Sequence, residues 1–287
     1  MLSLNVELLH SSSADISYYT RVKYYPDGSW ESLSASRPIF RESGWEQSDK
    51  WDSRERSHGK KKDPQNLDRS RRRAAARLKD YALCTPFRYF VTLTFSPEKV
   101  NRYDLKGILT KIRSWLDNRV RRNGLAYILV PELHKDGAVH FHGFFTDADI
   151  GIVDSGTVDM DGWKHPKRPR SKHERERWLS EGGRVVYNIS DWSYGFTTAI
   201  ELYGERAAAV GYCVKYVGKQ KEKLGGRWYY SGGALSLPKV VYYDYNYYDV
   251  VRTYPDAYAF EIEGANVAFA IMRGVSGGEK FGPYGPK

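Results

Sequence analysis

The 287 residues predict an α+β fold built on a central antiparallel sheet with packed helices. Three observations carry that expectation. Ala126 to His134 and Ala138 to Thr146 are strand-like runs around a short polar, glycine-containing turn. A helix-period stretch lies before this hairpin and another after it. Strands and helices alternate without the repeated strand-helix-strand rhythm of a parallel sheet.

Each element follows from local chemistry. Ser17 to Tyr25 and Trp30 to Leu33 flank Pro26, Asp27 and Gly28, the composition of a hairpin turn, within an N-terminal accessory region of residues 1–67. A helix is expected from Asp68, because Ala74, Ala75, Ala76 and Leu78 are good helix formers. Arg69, Arg71, Arg72, Arg73, Arg77 and Lys79 decorate it nearly all round, which suits phosphate contacts better than a core. Phe87 to Phe95 is β-branched and aromatic and stops at Ser96 and Pro97, as a central strand would. From Tyr103 to Arg122, Leu105, Ile108, Leu109, Ile112, Trp115, Leu116 and Val120 recur at helical spacing. Beyond the hairpin come a basic insertion at 151–180, strands at Arg184 to Ile189 and Phe196 to Leu202, and an alanine-rich helix from Glu205 to about Lys221. Residues 68–235 read as one domain. Residues 236–287 form a tyrosine-rich extension with five Lys/Arg against six Asp/Glu from Leu235 onward, and that balance favours a structural role over base stacking.

Charge is concentrated. The net is +10, yet residues 54 to 80 carry eleven Lys/Arg against four Asp/Glu, and residues 164 to 177 carry seven against two. The body is therefore close to neutral with two basic attachments, and the chain holds 23 Tyr and 8 Trp. Basic and aromatic surface together suit phosphate backbones and unstacked bases. Cys84 and Cys213 lie too far apart for a zinc motif and are too few for a disulfide scaffold. No signal peptide or apolar span is evident, so a cytoplasmic protein with no membrane partner is expected.

The chemistry gathers on two elements. His140 and His142 flank Phe141 in a strand, so both imidazoles face one way. If Lys135 to Gly137 form a three-residue loop with Gly137 left-handed, Glu132 stands directly opposite His140. A two-residue loop would send Glu132 to the other face. With the longer loop the face collects Glu132, His134, His140 and His142. Two imidazoles and a carboxylate with open positions suit Mg²⁺ or Mn²⁺ at a phosphate. Tyr212 and Tyr216 are four apart on a helix, as are Lys215 and Lys219. A phenol titrates near pH 10, so a tyrosine nucleophile needs help of the kind these lysines or a metal supply.

Those residues resemble a known family, the HUH endonucleases, named for two histidines around a bulky apolar residue. His140, Phe141 and His142 carry that motif, Phe90 to Phe95 resembles the first family motif, and Tyr212 to Lys219 resembles the tyrosine helix. More narrowly, residues 70 to 235 are similar to replication initiators of filamentous and isometric single-stranded DNA phages. The resemblance implies a sheet of the ferredoxin-like palm type and a bacterial host cell. It also implies metal-dependent nicking of single-stranded origin DNA by Tyr212 or Tyr216, with His140, His142 and Glu132 at the ion and Lys215 and Lys219 near the phosphate. The products would be a 5′-phosphotyrosine and a 3′-hydroxyl primer for rolling-circle replication, and the strand would later be rejoined. Host DNA polymerase and helicase are the implied partners, since no phosphate-binding Gly-Lys-Ser/Thr loop occurs. A histidine-triad hydrolase is disfavoured because position 144 is Phe, and a non-catalytic DNA-binding regulator on the same scaffold is the alternative. Arg69, Arg71, Arg72, Arg73 and Arg77 are the residues expected to grip DNA.

Overall fold

The computed structural model describes residues 17–41, 64–134, 136–202, 206–262 and 267–275. The chain divides into two compact units, Met1–Gly59 with Pro238–Lys287, and Lys60–Leu237.

In the first unit β1 (Ser17–Tyr18) pairs with β4 (Phe40–Arg41), and β2 (Thr20–Tyr24) forms a hairpin with β3 (Ser29–Ala35). Gly28 closes that turn at φ 84°, and the Asp27 carboxylate accepts the Ser29 N–H at 2.8 Å. Residues 1–16 and 42–63, including part of the first basic stretch, lie outside the described residues.

The second unit opens with α1 (Pro64–Cys84), which is less of a phosphate rod than its arginines suggest. Leu67, Ala74, Leu78 and Ala82 form one apolar stripe along the helix, with Leu78 and Ala82 fully buried. Helical periodicity thus gives α1 a core face that its arginine density conceals. Strand β5 (Phe87–Phe95) alternates cleanly, sending Val91, Leu93 and Phe95 to one face and Phe90, Thr92 and Thr94 to the other. Helix α2 (Leu105–Asn123) begins where Asp104 accepts the Gly107 N–H and ends at Gly124, held at φ 68°.

Next come β6 (Tyr127–Leu133) and β7 (Val139–Thr146). The basic insertion then proves to be ordered. It supplies β8 (Ile152–Asp159), the outer strand of the sheet, and α3 (Lys172–Ser180), which buries no side chain. Several of its cations are engaged locally: Arg175 pairs with Asp154, Arg168 donates to the Ser155 carbonyl, and Lys167 lies 4.3 Å from the Trp163 ring centre. Strands β9 (Arg184–Ile189) and β10 (Gly195–Glu201), helix α4 (Arg206–Lys219) and β11 (Tyr230–Gly232) complete the unit. The seven strands run β11-β6-β7-β5-β10-β9-β8, each pair antiparallel.

This sheet has a core on each side. On one, Ile108, Ile112 and Trp115 of α2 pack over Leu93, Phe141 and Phe145. On the other, Leu78 and Ala82 of α1 and Val210, Cys213 and Val217 of α4 pack over Ile128, Val130 and Phe144. The two helices cover only part of that second face.

The C-terminal stretch returns to the first unit as β12 (Lys239–Tyr243), α5 (Tyr247–Thr253), β13 (Tyr258–Ile262) and β14 (Val267–Val275). They join the N-terminal hairpin in a sheet ordered β12-β2-β3-β14-β13. The accessory region and the C-terminal extension, separate in sequence, therefore share one core around Val22, Val250 and Ala270, with Tyr243, Tyr245, Tyr247 and Tyr254 packed against it. Among the described residues no helix is long and apolar enough to cross a membrane.

Gly143 shows how tightly β6 and β7 approach. A Cβ there would lie 1.8 Å from the Ile128 carbonyl oxygen, a backbone atom that cannot swing aside. Gly143→Ala must push the two strands apart, at a cost of about 1–3 kcal/mol typical of overpacking. Urea unfolding of the variant should show its midpoint lowered accordingly.

Candidate active site

The β6–β7 hairpin positions the histidines. His134 N–H donates to Ala138 O at 2.9 Å and Gly137 adopts φ 84°, so the chain reverses through three residues with a left-handed glycine. That turn sets the register in which Glu132 faces His140 and Val130 faces His142. Facing residues share a side of the sheet, so the carboxylate and both imidazoles lie together. His134 joins them through its ring, stacked on His140 with centroids 4.2 Å apart.

On the opposite flank β5 supplies two hydroxyls. Thr92 faces His142 and Thr94 faces His140, with Oγ1 to Nδ1 distances of 3.0 and 3.1 Å. The His142 Nε2 lies 2.9 Å from Glu132 Oε2. Burial, reinforced by His140 and His134, lowers the His142 pKa to about 4, so the ring is neutral at pH 7. A neutral ring has one N–H, and the carboxylate only accepts. Nε2 therefore donates to Glu132, and Nδ1 accepts from the Thr92 hydroxyl. A hydroxyl both donates and accepts, so Thr92 also suits the other tautomer, in which Nε2 is free to bind an ion. Burial likewise lowers His140 and raises Glu132.

Helix α4 brings the tyrosines over this face. Val210, Cys213 and Val217 point down into the core, which turns Tyr212 and Tyr216 toward the histidines. The Tyr216 ring lies 5.7 Å and the Tyr212 ring 6.1 Å from that of His142, centroid to centroid. Tyr212 donates its hydroxyl hydrogen to Tyr216 at 2.8 Å, and Tyr216 hydrogen-bonds Glu132. Desolvation, and then the Tyr216 contact, raise the Tyr212 pKa, which keeps its phenol protonated at neutral pH. Burial pushes the Cys213 thiol up to about 12, so that group is packing and not a nucleophile.

The structure sorts the remaining residues. Lys219 stands 6.0 Å from the Tyr216 ring centre and acts electrostatically on Glu132. Lys215 is exposed on α4 and makes no hydrogen bond or ring contact with this group. Arg71 donates to the Gln220 carbonyl at 3.2 Å and pairs with Asp68, so it ties α1 to the end of α4. Arg72 shares Asp68, Arg77 lies over Tyr81, and Arg69 and Arg73 are exposed. Thr92 and Thr94 were not singled out by sequence. Their alternation on β5 was visible, but which histidine each meets depends on strand pairing.

Among the described residues no three His, Cys, Asp or Glu side chains are gathered as a finished metal cage. The donor set nonetheless fits a hard divalent ion, with two neutral imidazoles, each bonded to a threonine through Nδ1, and a carboxylate. A cleft of about 480 Å³ opens beside it, lined by Glu132, Tyr216, Lys219 and Gln220. A second, of about 570 Å³, flanks Tyr212 on the side of Phe90, Arg184 and Glu201. The tyrosine pair thus stands between two openings wide enough for a nucleic-acid strand.

Residues 88–221 match a family model described as a replication-associated protein, the group that joins ORF2 proteins with the phage gene 2 protein. The match runs from β5 to just beyond α4 and includes Glu132, both histidines, both tyrosines and both lysines. It supports a rolling-circle replication initiator, which binds DNA. Neither curated proteins nor solved structures give a match.

The depressed His142 pKa has a consequence for stability. The unfolded ring takes up a proton near pH 6.5 while the folded ring resists until about 4. Protonation therefore favours the unfolded chain, and stability that is complete above pH 6.5 is lost as pH falls toward 4. Urea unfolding with chelator present should show a decline of at most about 3 kcal/mol across that window from this group. His142→Gln should flatten that part of the slope.

Proposed function

We propose that the chain is a metal-dependent endonuclease that nicks single-stranded origin DNA through a tyrosine and later rejoins the strand. The observation that carries this reading is the juxtaposition of two phenols on α4 with Glu132, His140 and His142 on the sheet below.

The scissile phosphate lies over the histidine face. A divalent ion, Mg²⁺ or Mn²⁺, held by His140, His142 and Glu132 would draw electron density from the phosphate oxygens there. The phenol oxygen of Tyr212 or Tyr216 attacks phosphorus in line. A new oxygen–phosphorus bond forms as the bond to the 3′-oxygen breaks, leaving a 5′-phosphotyrosine and a 3′-hydroxyl. The phenolic proton has a path along the hydrogen bonds from Tyr212 to Tyr216 and on to Glu132. Lys219, and Lys215 from the outer side of the helix, supply positive charge to the departing and attacking oxygens. Thr92 and Thr94 hold the imidazoles in orientation.

Because no atoms are lost to water, the phosphotyrosine keeps the bond energy, and attack by a 3′-hydroxyl restores the strand. Two tyrosines allow one to hold an end while the other cuts the regenerated origin. The free 3′-hydroxyl primes a host polymerase, and a host helicase would open the duplex ahead of it. The exposed arginines of α1, Arg69 and Arg73 foremost, with Arg72 and Arg77 beside them, favour duplex or strand contacts through phosphate. Arg71 has a structural duty as well.

Labelled oligonucleotides tiled across the origin region and incubated with Mn²⁺ should yield a covalent protein–DNA band on a denaturing gel. Chelator, His140→Ala, or Tyr212→Phe combined with Tyr216→Phe should each reduce it by at least about 100-fold, the scale of a lost catalytic group. Tight DNA binding with no band from any oligonucleotide would overturn the reading in favour of a non-catalytic regulator.

A further inference from the structure

Phe196 lies in the middle of a regular antiparallel sheet, yet it is 70% exposed. Its place in the register makes that exposure informative. Phe196 faces Thr94, Thr94 faces His140, and His140 faces Glu132, so four adjacent strands line up a phenyl ring, a hydroxyl, an imidazole and a carboxylate. Directly facing residues share one side of the sheet. With strands about 4.8 Å apart, the Phe196 backbone stands roughly 10 Å from that of His140.

The ring is mounted on rigid backbone. A Cβ at Gly195 would meet the Thr94 carbonyl oxygen at 2.1 Å, so the glycine is what lets β10 close against β5 at this row. The neighbouring Thr197 hydroxyl is turned to the opposite side, where it accepts the Ile189 N–H at 2.8 Å. Phe196 itself makes no ring contact among the described residues, and neither α1 nor α4 packs on it.

We propose that Phe196 is a stacking platform for an unpaired base of single-stranded DNA, one or two nucleotides from the scissile phosphate and on the side away from Glu132. The inference rests on the reading that single-stranded DNA crosses this face. A phenyl ring offers no hydrogen bond, so it binds by its flat surface and accepts any base. Bases in a duplex already have both faces covered, so the platform selects unpaired strand. An apolar ring continuous with phosphate-handling groups suits a nucleotide, whose base and phosphate differ in the same way.

The test uses the full chain, chelator to prevent cleavage, and fluorescently labelled oligothymidylate read by anisotropy. Phe196→Ala and Phe196→Leu should weaken binding by about 5- to 100-fold, the range of one lost base–aromatic stack. Phe196→Trp should stay within about threefold of the parent, and duplex binding should be unchanged in all three. A single 2-aminopurine walked along the oligonucleotide should be quenched at one position, and that quenching should vanish in Phe196→Ala. Equal binding and equal quenching by the parent and Phe196→Ala would overturn the inference, whatever the covalent assay shows. Loss of binding in Phe196→Ala from a chain that never forms a covalent adduct would uphold the platform and overturn the nickase reading instead.

Discussion

The pairing register between β6 and β7 is the constraint on which the site depends. Strand side chains alternate with a period of two, so a slip of one residue would carry Glu132 to the side occupied by Pro131 and Leu133. Gly137 fixes the register by taking a left-handed conformation that other residues adopt at a cost. Gly143 reinforces it, because the strands approach too closely there for any side chain. With β6 and β7 locked, β5 adds Thr92 and Thr94 in matching positions, and each imidazole acquires a partner for its Nδ1.

The second element, α4, is placed by packing and not by polar contacts. Its residues 210, 213 and 217 enter a core shared with α1 and the sheet. Once that face is buried, helical geometry leaves the two tyrosines nowhere but the edge above His142, with Lys219 one further turn along. The arginine-rich helix has a corresponding double character. Leu78 and Ala82 hold it on the same core, Arg71 secures the end of α4, and the outer arginines remain in solvent. Chemistry and fold are coupled here through shared hydrophobic contacts, which are non-directional individually but specific in sum.

Much of this was legible before the fold was known, where local rules decide the outcome. The alternation of β5, the amphipathic spacing of α2 and the glycine turn after His134 each carry their structure in a few consecutive residues. What escaped reading depends on distant partners. The strand β8 is polar, with Gly156 and a register shift between Asp154 and Thr157, so nothing in its own sequence announces a sheet edge. Pairing of β12 with β2 and of β14 with β3 joins residues more than 200 positions apart, beyond the reach of periodicity. Arginine density masked the apolar stripe of α1. Phe196 read as one more strand residue because exposure is set by what fails to cover it.

The central claim is that a tyrosine of α4 becomes covalently joined to DNA, and the chain itself offers a direct way to locate it. Trypsin cuts after Arg206, Lys215 and Lys219, so Tyr212 and Tyr216 fall on separate peptides, residues 207–215 and 216–219. Mass spectrometry of the adduct after nuclease trimming and trypsin should find the nucleotide mass on one or both of these peptides. Nucleotide attached to any other peptide, or none attached despite a cleaved strand, would contradict the account.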